Sequence, residues 1–290
     1  MSGVTMPAYP DAPPPAPLKR KPRWWLVALT VAWVVALAVA AVWSIRHDPP
    51  SVADQRSVKQ ALPYLERAAA ALVDAADGDG RAVVLGDLRF STGCRITPVR
   101  SGVQAIRDVT LHLRADQVGS AFDAIADGLP DPFHARVAHS PTGSRHDLYA
   151  DAGGFVAIDG TARATDTVVT LRASTGCRPR ADDVDPHPAD PPASNTPGAY
   201  GDVVLRLGVG VAGSTVRSVG CANGGIASTI VSAAFPEPAD LGRILLATVP
   251  SADVVQADPH DWAYRAAGLS IVVSGDAGTA RVFATSACTS

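Results

Sequence analysis

The chain has 290 residues, a formal net charge of -3 and 47% hydrophobic residues. A charge so close to balance argues against a polyanion-binding chain, so nucleic acid is not an expected partner. Aromatic residues make up only 6%, which leaves any core to Val, Leu, Ile and Ala.

Residues 1–23 are proline-rich and basic, and they read as a short polyproline-like tail. From Trp24 to Ile45 no residue is charged. A helix of that length, at about 1.5 Å per residue, spans a bilayer core of roughly 30 Å. Trp24, Trp25 and Trp43 stand at its two ends, where indole rings favour the headgroup region. Lys19, Arg20, Lys21 and Arg23 precede it, against Arg46 alone just beyond it. The positive-inside rule then predicts a cytoplasmic N-terminus and an extracytoplasmic C-terminal part. Ala38-Val39-Ala40 resembles a signal-peptide cleavage site after Ala40. The long lead before the helix, and the apolar run that continues past Ala40, favour an uncleaved anchor.

Residues 46–80 are expected to form a stalk helix, kinked or restarted at Pro63, that docks on the first of two α+β units. The units are predicted over residues 81–178 and 200–290, joined by a proline-rich linker over 179–199. The first contains a strand through Val109, Leu111 and Leu113, then a helix from Asp116 (as N-cap) to about Gly128. Val118, Phe122, Ile125 and Leu129 recur there at helical spacing. Strands near 133–139, 147–150, 154–158 and 167–174 complete it. In the second unit a strand is expected over Val203–Leu207, another near 226–233 and a helix over Pro238–Thr248. That helix carries Leu241, Ile244, Leu245 and Val249 on one face, and strands come after it near 262–265, 269–274 and 280–285. The shared order suggests that the units are related.

Cys94, Cys177, Cys221 and Cys288 all lie beyond the anchor, and none forms a C-x-x-C pair. Their even number in an exported part points to two disulfides rather than a zinc or redox site. The stretches Leu88–Arg95 and Leu171–Arg178 are identical except that Phe90 stands where the second has Ala173. Two matching strands that end in matching cysteines suggest sheet neighbours joined as Cys94–Cys177, which leaves Cys221–Cys288.

Other motifs carry less. Gly208-Val-Gly210-Val-Ala-Gly213 matches the dinucleotide fingerprint, but that fingerprint needs a helix opening at its glycines to hold a pyrophosphate. Ser214–Gly220 alternates like a strand, so a glycine-rich turn is expected and no cofactor. His134, His139, His146 and Asp147 lie close in sequence and read as surface residues of a hairpin, not a metal site. His112 and Arg114 could extend a basic strip on a neighbouring polar face. No Ser sits in a nucleophile elbow, and Glu66 and Glu237 are the only glutamates. No catalytic residue is therefore nominated.

The layout of basic tail, single anchor, stalk and cysteine-bearing outer part resembles in plan the envelope proteins of actinobacteria, a resemblance that carries no site residues. The expected function is that of a membrane-tethered, non-catalytic binding or structural protein of the cell envelope. It would be held in the lipid bilayer through residues 24–45 and would meet an envelope protein or cell-wall component. The alternative is an envelope hydrolase whose site assembles from scattered Asp and His residues.

Overall fold

The structure is a computed structural model that describes residues 24–47, 57–180, 185, 190, 197–248 and 253–289. The tail 1–23, most of the linker, and Val249 lie outside the described residues. The chain divides into two compact units, residues 1–51 and 52–290.

The N-terminal unit is the helix α1, Trp24–His47. Among the described residues it is the one helix long and apolar enough to cross a membrane, and its side chains from Trp24 to Trp43 are exposed. Thr30 is tolerated there because its hydroxyl donates back to the Leu26 carbonyl at 2.8 Å.

The C-terminal unit begins with α2, Val58–Ala76. Ser57 caps it in a reciprocal box. The Ser57 hydroxyl accepts from the Gln60 N–H, and the Gln60 side chain accepts from the Ser57 N–H. α2 runs unbroken through Pro63, so the helix does not restart there. Pro63 sits on the exposed side of the second turn, so one missing N–H is outweighed by the face that buries Leu65, Ala69, Leu72 and Val73.

The next strands are β1 (Arg81–Ser91), a small β2–β3 hairpin (Arg95–Thr97, Arg100–Ser101) and β4 (Gln104–Leu113). Helix α3 (Val118–Gly128) leads to β5 (Arg136–His139), β6 (Arg145–Asp151), β7 (Ala157–Arg163) and β8 (Val168–Ser174). They form an antiparallel sheet in the order β1-β4-β8-β7-β6-β5. Beyond the linker come α4 (Gly198–Arg206), β9 (Thr215–Gly220), β10 (Ile226–Val231), β11 (Phe235–Pro236) and α5 (Leu241–Thr248). The chain ends in β12 (Asp253–Ala257), β13 (Asp261–Ala266), β14 (Leu269–Asp276) and β15 (Thr279–Thr289). This second sheet is ordered β12-β13-β14-β15-β10-β9, with β11 on β15. The architecture is mixed helix and antiparallel sheet.

Alternation along β1 decides the layering. Val83 and Leu85 point into a core with Leu65 and Leu72 of α2, Phe122 and Ile125 of α3, and Leu111 and Leu171. Ala82 and Val84 point the other way, onto Val255, Ala263 and Val272 of the second sheet. A third core lies under α4 and α5, where Tyr200, Val203, Leu241 and Leu245 cover Tyr264, Ile271 and Val282. Val219 and Ala227 of the second sheet belong to the first core, so α2 packs against both sheets.

Three local expectations change. Val203–Leu207 is the end of α4 and its cap, not a strand: Tyr200, Val203 and Val204 share a buried face at helical spacing, and the flanking residues turn outward. Asp116 does not cap α3; it takes φ 63°, and Gln117 occupies the N-cap without a side-chain bond. His134 is not in a strand; it closes a 3-10 turn, Asp131–Phe133, with φ 47°, before β5 begins.

Disulfides join Cys94 to Cys177 and Cys221 to Cys288, with Cα separations of 5.7 and 5.8 Å. The two matching strands are not neighbours, however. β1 and β8 lie on either side of β4, each antiparallel to it, so they run parallel to each other and deliver their cysteines past the same end of the sheet.

Candidate functional site

α2 lines a groove of about 510 Å³. Its residues Arg67, Ala71 and Asp74 form one wall. Pro130, Pro132 and Phe133, just after α3, form another, and Ala152 and Gly153 of the β6–β7 turn continue it. The Cys221–Cys288 disulfide, with Ala222 and Asn223, closes the third side. The lining is largely apolar, with Arg67, Asp74 and Asn223 as its polar side chains. Cys288 sits against α2, its sulfur 3.8 Å from the Ala70 carbonyl oxygen. The groove exists because α2 is shared: one side of the helix packs on α3 and the other on the strands that carry the second disulfide.

Arg67, Cys221 and Ala222 also line a second hollow of about 560 Å³, one turn along α2, whose wall includes Glu66. Glu66 belongs to a buried ionic cluster. Arg107 of β4 is fully buried, and its guanidinium meets Glu66 at 3.0 Å and Asp190 at 2.9 Å. Asp190 engages both terminal nitrogens of Arg107 and also accepts from the Ser218 N–H at 2.9 Å. The linker is thereby fastened to β4 and β9. Burial holds the Glu66 carboxyl above its ordinary pKa, against the opposing pull of Arg107.

A separate cleft of about 440 Å³ opens between the two sheets, lined by Thr110, His112, Arg217, Asp261, Ser274 and Phe283 among others. His112 does not lie in an open basic strip. It is buried, its Nδ1 donates to Gln256 Oε1 at 2.8 Å, and burial lowers its pKa. Arg114 donates to the Val254 carbonyl at 3.0 Å. On the opposite wall, Ser274 donates to Asp261 at 2.6 Å, and Arg217 pairs with Asp87 at 2.5 Å.

The nominated histidines separate. His139 and His146 face each other across the β5–β6 hairpin, and His146 is buried rather than superficial. Asp147 points to the opposite face, where Arg145 at 2.9 Å and Thr161 at 2.5 Å bind it and hold its pKa down, the Thr161 hydrogen bond most of all. Among the described residues no group of three His, Cys, Asp or Glu is set to hold a metal. Gly208–Gly213 joins α4 to β9, and no helix opens at it. The four cysteines are all bonded.

Sequence reasoning passed over Arg67, Asp74, Phe133 and Asn223, which lie on three separate stretches of chain, and the partnership of Arg107 with Asp190. One signal was available for the latter: Arg107 lies on the face of β4 that also carries Val109 and Leu111, where an unpaired cation would be too costly to bury.

Compared with known proteins, the chain matches no protein-family model and no curated protein. Among solved structures it is similar to a DUF4853 family protein from Actinomyces odontolyticus, at 12% identity over 61% of this chain and 94% of that one, with a TM-score of 0.33. A likeness that slight carries no argument about fold or function.

Proposed function

We propose that this is a single-pass protein of the cell envelope, anchored by α1 with its N-terminus in the cytoplasm. Its C-terminal unit would lie outside, where it binds a protein or wall component without catalysing a reaction. The observation that carries this reading is the groove along α2. A concavity of about 510 Å³ lies within the range of ligand sites. Its apolar floor supplies contact area, while Arg67, Asp74 and Asn223 suit orientation of a ligand more than proton transfer. Two disulfides fit an oxidising compartment.

The C-terminal unit would consist of two related halves. Three features support this. With the short β2, β3 and β11 left out, each half runs helix, two strands, helix, four strands. Counted in chain order and leaving out the short β2, β3 and β11, each sheet is arranged first, second, sixth, fifth, fourth, third. Each disulfide joins the residues just beyond the first strand to the end of the sixth, or just past it. Coincidence of all three is a demanding alternative.

Site-specific photo-crosslinking in cells is the test. A crosslinking amino acid at Ala71 should capture one envelope component, and Ala222→Phe, which fills the groove, should abolish capture. Equal capture from Tyr149, exposed on another face, would defeat the groove reading. A reporter fused after Ser290 should be active only outside the membrane, and a mature N-terminus at Ala41 would replace the anchor by a secreted form. The hydrolase alternative has one observation in its favour: His112 and Asp261 line the same cleft between the sheets.

A further inference from the structure

We propose that His139 and His146 form an exchangeable binding site for one divalent transition-metal cation of the zinc class, with Asp123 as its positioning residue. The argument begins with register. His139 and His146 are directly opposed in the β5–β6 hairpin, so both side chains stand on one face, toward α3. Their Nδ1 atoms are 2.7 Å apart. Asp123 of α3 lies 3.1 Å from the other nitrogen of His139. That carboxylate can only accept, so His139 Nε2 carries the proton and its Nδ1 presents a lone pair. His146 must then donate from Nδ1 to complete the pair.

A histidine that ligates a metal commonly has its other ring nitrogen held by a carboxylate, as Asp123 holds His139. A zinc-class ion with bonds of about 2.0–2.1 Å in tetrahedral geometry needs its two nitrogens roughly 3.3 Å apart. The rings must therefore separate by about 0.6 Å, and the His146 proton must move to Nε2. His139 can make that movement, since its side chain is 41% exposed. His146 is the fixed partner. A Cβ built on Gly119 would come 3.0 Å from its Cε1, so the ring lies close against α3 at that position. Imidazole donors select zinc, copper or nickel over magnesium or calcium. With two protein ligands the remaining positions fall to water, which makes the site exchangeable.

Untagged full-length protein in detergent micelles, titrated calorimetrically with zinc or nickel chloride near neutral pH, tests this. One equivalent should bind saturably and raise the melting temperature. His139→Gln should abolish both effects; its metal-free melt should be lowered by the loss of the bonds to His146 and Asp123 yet stay a single cooperative transition, which separates loss of a ligand from loss of the fold. Asp123→Asn should weaken binding about 10–100-fold without changing stoichiometry. Absence of saturable binding would overturn the proposal. So would binding that survives His139→Gln, since that would place the ion elsewhere.

Discussion

Replacing Asp190 with Ala removes both of its contacts to Arg107, 3.1 Å at Nη1 and 2.9 Å at Nη2, and the acceptor of the Ser218 N–H. Arg107 keeps Glu66 and the Ser218 carbonyl, so the cation is weakened rather than stranded. Removing one partner of a buried ion pair costs roughly 3–5 kcal/mol when nothing replaces it. Asp190 and Glu66 retain 21% and 26% side-chain exposure, which softens the loss. The surviving Glu66 contact softens it further, to about 2–3 kcal/mol. For a unit of this size that is a fall of about 4–12 °C in Tm. The assay is the far-UV melt of the full chain in micelles, with chemical denaturation as a check. Arg107→Met alone strands both Asp190 and Glu66, whereas in the Asp190→Ala background it strands Glu66 alone, so the two losses should sum to less than additive. A single variant within about 0.5 kcal/mol of the parent, or strictly additive effects in the pair, would refute the idea that the linker is held by this cluster.

Three further outcomes are expected. The Cys94–Cys177 bond closes a loop of 83 residues, worth about 4.5 kcal/mol in the chain-entropy treatment; melts of Cys94→Ser, Cys177→Ser and the double variant should therefore nearly coincide, and additive losses would rule out a shared bond. Gly102→Ala should cost about 1–3 kcal/mol in denaturant titration, because a Cβ there would lie 2.6 Å from the Arg178 carbonyl and from the Cys177 sulfur, whereas Gly93→Ala, in open space, should be silent. Burial lowers the His112 pKa below the ordinary 6.5, so the unfolded chain takes up that proton first and native stability falls as pH drops below 6.5. His112→Asn should flatten that part of a stability-against-pH profile, and an unchanged slope would count against it.

Much of the local structure was legible because the residues that signal it are close in sequence. The uncharged run from Trp24 to Ile45, and the alternation of Val169, Leu171 and Ala173, each state their period within one element. The repeat at Cys94 and Cys177 marked two strands of like kind, but not that β4 lies between them, since hydrogen-bond partnership at that distance leaves no local trace. Val203–Leu207 misled because a short apolar run fits a buried strand and a helix face alike. The groove was beyond reach for a related reason. Its walls come from α2, the stretch after α3, the β6–β7 turn and the Cys221 loop, and none has a pattern that anticipates the others.

Both disulfides also bear on how the C-terminal unit would yield to force. Tension applied between α2 and the end of β15 runs across each sulfur bridge and bypasses the chain enclosed by it. The bridges shelter 83 and 67 residues, about 280 Å and 230 Å of extended chain at roughly 3.4 Å per residue. Stripped of every strand and helix, the oxidised unit would still stop extending far short of its full contour. What remains free to pay out is α2 with β1, the stretch that holds the linker, α4 and β9, and little else. Reduction would release the sheltered length in two steps of unequal size, so a single-molecule pulling trace would reveal which bridge had opened.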